Sequence, residues 1–86
     1  MRGFLKMQIE RKSMSTRDFV NMIGFHTYEQ SFRTKIDNLD FVEISSIRHS
    51  NEYNVQLFDK NNRMIESKRI RKNSDTGLMI ESRLFD

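Results

Sequence analysis

The apolar pattern of this chain predicts an α+β fold: an N-terminal strand, two short helices, then an antiparallel meander of three or four strands. Three observations carry the prediction. Apolar residues alternate with polar ones near both ends of the chain. A capping box followed by helically spaced apolar residues lies between those stretches. The composition has eight Ile and seven Phe but no Ala, which favours a sheet over a helical bundle. At 86 residues, one small domain spanning 1–86 is expected. A core drawn from 31 Ile, Phe, Met, Leu, Val and Tyr residues suffices for one two-layer unit.

Each element follows from local signals. Leu5, Met7 and Ile9 alternate with Lys6, Gln8 and Glu10, predicting a half-buried strand over 4–10 and a basic connector at Arg11-Lys12-Ser13. Ser15 and Asp18 bracket a capping box, with Met14 and Phe19 as its hydrophobic staple. Phe19, Val20 and Ile23 then line one face of a helix over 16–23, closed by Gly24. A second capping pattern, Thr27 to Gln30, precedes Tyr28, Phe32, Ile36 and Leu39. Their spacing predicts a second helix over 28–39.

From Phe41 the period becomes two. Ser45-Ser46 breaks the phase and predicts a bulge, and His49 to Glu52 reads as a turn. Tyr53, Val55 and Leu57 form the next strand, with Phe58 pointing to its other face. Lys60-Asn61-Asn62 makes a hairpin loop that sets Asp59 opposite Arg63 and Leu57 opposite Ile65. A strand over 63–70 follows, then a turn at 73–77. The alternation of Leu78, Ile80, Ser82 and Leu84 predicts a last strand.

The chain has no Cys, Pro or Trp, which excludes a disulfide scaffold and a Cys-based zinc site. No stretch approaches the ~20 apolar residues of a spanning helix, and Lys6, Gln8 and Glu10 interrupt the apolar run a secretory signal needs. A cytoplasmic protein without membrane contact is expected. Absent Ala and Pro beside seven Asn and six Lys reads as the codon bias of an A+T-rich genome, such as a low-GC bacterium or its phages.

Net charge is a mild +3, but it is segregated. Residues 1–12 carry Arg2, Lys6, Arg11 and Lys12 against Glu10. Residues 60–72 carry Lys60, Arg63, Lys68, Arg69, Arg71 and Lys72 against Glu66. The intervening stretch has an acidic excess of three. Two basic segments that came together would make a polyanion-binding patch. Charged residues that guard strand edges against aggregation explain the same pattern without a ligand. Because strand alternation puts charges on both faces of 68–72, that stretch must be an edge strand or a loop.

The helix pair resembles a helix-turn-helix at Phe19, Ile23, Gly24 and Phe25. The resemblance implies that helix 28–39 offers Gln30, Arg33 and Thr34 to base edges while hairpin 53–70 serves as a wing. It departs from that pattern where Val20 replaces a small residue and where Gln30 and Arg33 occupy apolar positions. The element order is also similar to that of small RNA-cleaving toxins, for which His49 beside Arg48, Glu52 and Tyr53 would be the acid–base group.

No catalytic constellation emerges otherwise. The glycines are too dispersed for a phosphate loop, the two histidines lack metal-ligand spacing, and no cofactor is implied. The expected function is that of a small non-enzymatic regulatory protein. It would bind DNA or RNA through Arg2, Lys6, Arg11, Lys12, Gln30, Arg33, Arg63, Lys68, Arg69, Arg71 and Lys72. The alternative is a protein-binding module, acting by strand addition or as a homodimer.

Overall fold

The structure, a computed structural model, describes residues 9–85. Its elements in chain order are β1 (Ile9–Ser15), α1 (Thr16–Ile23), α2 (Phe25–Ser31), a 3₁₀ turn (Ile36–Asn38), β2 (Phe41–Ile47), β3 (Glu52–Phe58), β4 (Met64–Arg71), α3 (Asp75–Ile80) and a π-helical turn (Glu81–Phe85). The strands form one antiparallel sheet in the order β1-β2-β3-β4. The fold is therefore α+β, as the apolar pattern predicts.

The helices cover one face of the sheet only. Phe19, Val20 and Ile23 of α1, Tyr28 of α2 and Ile80 of α3 share one buried cluster with Val42, Ile44, Tyr53, Val55, Leu57 and Ile70 from the strands. Phe19 meets Phe32 edge-on at 5.9 Å, and Tyr28 stacks on Phe32 at 5.1 Å. The other face of the sheet has no second layer among the described residues. That is why β3 and the first four residues of β2 read as alternations of buried and half-buried positions.

The first helix forms where its signals place it. The Ser15 hydroxyl accepts the Asp18 N–H at 3.1 Å, and Gly24 ends the helix at φ 95°, a conformation that favours glycine. Asp59 and Arg63, expected opposite each other across the hairpin loop, do meet. The Asp59 carboxylate takes the Arg63 N–H at 2.9 Å and its Nε at 3.2 Å.

Several expectations are corrected. The strand expected at 4–10 lies mostly outside the described residues, and the basic connector 11–13 is itself strand. β1 pairs with β2 as far as Ser15↔Phe41 before α1 begins. The second helix stops at Ser31 instead of Leu39, and Phe32 is extended. Its own N-cap is Gly24 with no side-chain bond, so the Thr27 capping pattern is unused.

The pairing of β2 runs unbroken through Ser45 and Ser46, and the irregularity falls at Leu57/Phe58, which sets Leu57 opposite Glu66 in place of Ile65. Finally, 78–84 is helical. Ser74 caps α3 by accepting the Gly77 N–H at 3.0 Å, and Gly77, Ile80 and Leu84 face the core at spacings of three and four. The alternation of Leu78, Ile80, Ser82 and Leu84 matched both periods; the cap decides for the helix.

Candidate nucleic-acid interface

The two basic segments are not neighbours: β1 and β4 are opposite edges of the sheet. Three inter-strand steps separate them, about 14 Å. A continuous patch formed by the 60–72 hairpin lying beside the N-terminal strand is thus corrected. Arg2 and Lys6 lie outside the described residues.

Alternation then divides each segment between the two faces. On β1, Lys12 shares the helix-bearing side with Met14, and Arg11 turns to the open side. On β4, Ile70 is buried, so Glu66 and Lys68 point towards the helices and Arg69 and Arg71 point away. Registers through the sheet align the rows on the open face. One row runs Arg11–Ser45–Asn54–Arg69 from edge to edge. The next runs Ser13–Glu43–Gln56–Ser67, and the last Ser15–Phe41–Phe58–Met64. Arg71 sits opposite Glu52.

The arginine row borders a shallow depression of about 300 Å³ lined by Ser45, Ile47, Ser50, Glu52, Asn54 and Arg69. Ser67 Oγ donates to Asn54 Oδ1 at 3.3 Å, which leaves the Asn54 amide nitrogen as a donor at the position paired with Arg69. At the far end of the face Phe41 and Phe58 stack with centroids 4.6 Å apart and planes 1° from parallel. Sequence reasoning singled out Phe58 and missed Phe41. The pair is visible only once the register sets them opposite each other.

Lys68 and Lys72 serve the fold. Lys68 Nζ donates to the Ser31 carbonyl at 2.8 Å, at the C-terminal end of α2, and lies 6.0 Å from the Phe32 ring. Lys72 Nζ donates to the Ile47 carbonyl at 3.3 Å and stands 5.3 Å over the Tyr53 ring. Glu66 takes the N–H groups of Arg33 and Thr34 and the Thr34 hydroxyl. Burial works against its charge, but those hydrogen bonds and Lys68 outweigh it and hold the carboxyl below its usual range. The Tyr28 hydroxyl donates to the Thr34 carbonyl at 2.7 Å. Burial, with Glu66 adding to it, pushes that phenol up to about 12.

These contacts dispose of the recognition helix. Arg33 follows α2 instead of riding on it, with its backbone tied to β4, and α2 has seven residues with Tyr28 buried. Gln30 remains exposed on α2, and Arg63 is exposed at the hairpin tip, paired with Asp59.

A separate cleft opens at one end of the sheet. Arg48, His49, Lys72, Tyr53, Glu10 and Glu81 are among its lining residues. Burial first, then Glu81 and Glu10, raises the Tyr53 hydroxyl above its ordinary value. Among the described residues no cluster of His, Asp or Glu could hold a metal ion, and no helix is long and apolar enough to cross a membrane. No known protein-family model matches the chain, nor does any curated protein or solved structure.

Proposed function

We propose that this chain is a small non-enzymatic accessory protein that binds nucleic acid on the open face of its sheet. Arg11, Arg69 and Arg71 are its phosphate-contacting groups. The observation that carries this reading is the alternation that turns these arginines to one uncovered face from both edges of the sheet, while Lys68 and Lys72 serve the fold. Guanidinium groups suit phosphate better than ammonium groups do, because their planar fork donates two parallel hydrogen bonds. Ser45 and Asn54 supply neutral donors along the same row.

The test is fluorescence anisotropy of labelled nucleic acid at about 50 and 200 mM salt. Three phosphate contacts predict that the fourfold rise in salt weakens binding about twenty- to fortyfold. Arg69→Ala with Arg71→Ala should remove most of both affinity and salt dependence. Absence of binding at the lower salt overturns the proposal and turns the search to a protein partner at β1, whose outer side carries no strand among the described residues.

A second reading, RNA cleavage, is favoured by one observation: His49 shares its cleft with the cations of Arg48 and Lys72 and the carboxylates of Glu10 and Glu81. Intact RNA after prolonged incubation with the protein rules it out. Cleavage abolished by His49→Ala would establish it.

A further inference from the structure

Resting on the nucleic-acid reading above, we infer that the ligand is single-stranded: its backbone follows the Arg11–Ser45–Asn54–Arg69 row, and a base stacks at the Phe41–Phe58 pair. The dimensions keep the open face itself out of a duplex groove. The open face is four strands wide, about 14 Å between its outer strands before side chains are added. The major groove of a duplex, about 12 Å wide, admits one helix or a two-stranded ribbon. Nor can α2 replace the sheet in the groove. It is seven residues long, its Tyr28 is 2% exposed, and its C-terminal end is held to β4 by Lys68 and Glu66.

A single strand needs a flat cationic track and aromatic rings within reach of its bases, because every base has a π-face but no fixed groove geometry. Both features occupy this face. The arginine row crosses the strands at Asn54, and the phenylalanine pair crosses them at Phe58, four residues along β3. That separation is about 13 Å, within the reach of an extended nucleotide chain.

Phe41 and Phe58 already lie parallel, so a base extends an existing stack without first reorienting a ring. On the β1 side the next residue in the row is Ser15, whose small side chain accepts the Asp18 N–H. The depression beside Arg69 and the Asn54 amide, about 300 Å³, accepts a phosphate next to the track. Glu43, between the two rows, keeps the anionic backbone on the arginine side.

The experiment compares three labelled probes on the full chain at about 50 mM salt: a mixed-sequence single strand, an abasic strand of equal length, and the matching duplex. The single strand should bind about tenfold more tightly than the abasic strand, the loss expected for one stacked base, and more tightly than the duplex. Phe58→Leu, which retains an apolar side chain, and Phe41→Leu should each erase most of the advantage over the abasic strand, with the thermal melt confirming that each variant folds. Equal affinity for all three probes, still lost on Arg69→Ala, overturns the single-strand inference and leaves the phosphate-binding face standing. No binding of any probe overturns both.

Discussion

The Glu66 carboxylate on β4 accepts both the Thr34 hydroxyl at 2.7 Å and the Thr34 N–H at 3.1 Å through one oxygen, Oε1. Across 32 residues of sequence this fixes the segment after α2 to the edge of the sheet. The same carboxylate accepts the Arg33 N–H at 3.2 Å, so donors released by the end of the helix find one ionised acceptor.

Glu66→Gln should destabilise the protein at neutral pH by about 1 kcal/mol, the solvent-screened end of the range for charge-assisted hydrogen bonds. The pH dependence has a definite sign. The folded protein holds this carboxyl below its ordinary value of 4.5. Its contribution is therefore complete above that value and is lost as pH falls through the depressed one. Urea melts at neutral and acidic pH measure the gap between wild type and variant, which should narrow with acidification. A gap that stays constant across that range would show that the charge is not what holds Thr34.

Lys68 and Arg69 are sequence neighbours with opposite roles. Lys68→Met removes the donor to the Ser31 carbonyl and should lower stability by about 1 kcal/mol while leaving nucleic-acid affinity within twofold. Arg69→Ala, on the open face, should lower affinity about tenfold at 50 mM salt and shift stability by less than about 0.5 kcal/mol. Parallel urea melts and anisotropy titrations separate the two. The reverse assignment would place the ligand on the helix-bearing side.

Much of this architecture was legible in the residues. Ser15, Asp18 and Gly24 mark the ends of α1 by local chemistry, and the alternations of 41–58 mark two strands because one face is buried and the other is not. What was not legible depends on distant partners. Phe32, Ile36 and Leu39 keep a helical spacing, yet the helix ends at Ser31, where Lys68 from another element takes the terminal carbonyl and Glu66 takes the Arg33 and Thr34 N–H groups of the segment beyond. Clustering of basic residues in sequence marked 60–72. Which of those side chains face solvent required the strand register, and the separation of β1 from β4 required the strand order.

Gly77 tests the packing of the C-terminal helix. A Cβ at this position would overlap the Arg71 carbonyl oxygen and approach two Lys72 backbone carbons to 2.8 Å, so neither neighbour can rotate out of the way. Gly77→Ala should cost about 3 kcal/mol, the upper end of overpacking. Gly24→Ala meets only the Thr27 Oγ1 at 3.9 Å, and its penalty comes from the backbone at φ 95°, ψ 139°, about 2 kcal/mol. Thermal melts should rank wild type above Gly24→Ala and Gly24→Ala above Gly77→Ala.

Thr16 sits at the start of α1, 3% exposed, with its Oγ1 buried and without a hydrogen-bond partner among the described residues. Its removal from water carries a desolvation cost that nothing offsets. Thr16→Val replaces the hydroxyl by a methyl group of similar shape and should stabilise the protein by about 1 kcal/mol. A melting temperature several degrees higher is the expected readout; a lower one would mean that the hydroxyl has a partner in solution.

Glu43 gives the open face a prediction with the opposite sign. It lies between Ser13 and Gln56, one row from the arginines, and projects from the same face. A carboxylate about 10 Å from a phosphate repels it by roughly 0.4 kcal/mol in water. Glu43→Gln should therefore tighten nucleic-acid binding by up to about twofold at 50 mM salt. The gain should shrink at 200 mM, where screening shortens the reach of the charge. Glu52 is set directly opposite Arg71. Glu52→Gln should tighten binding further than Glu43→Gln does, because it also leaves that guanidinium without its cross-strand counter-charge. Anisotropy of one labelled single strand at both salts ranks the variants, and unchanged affinity in both would place the bound strand off this face.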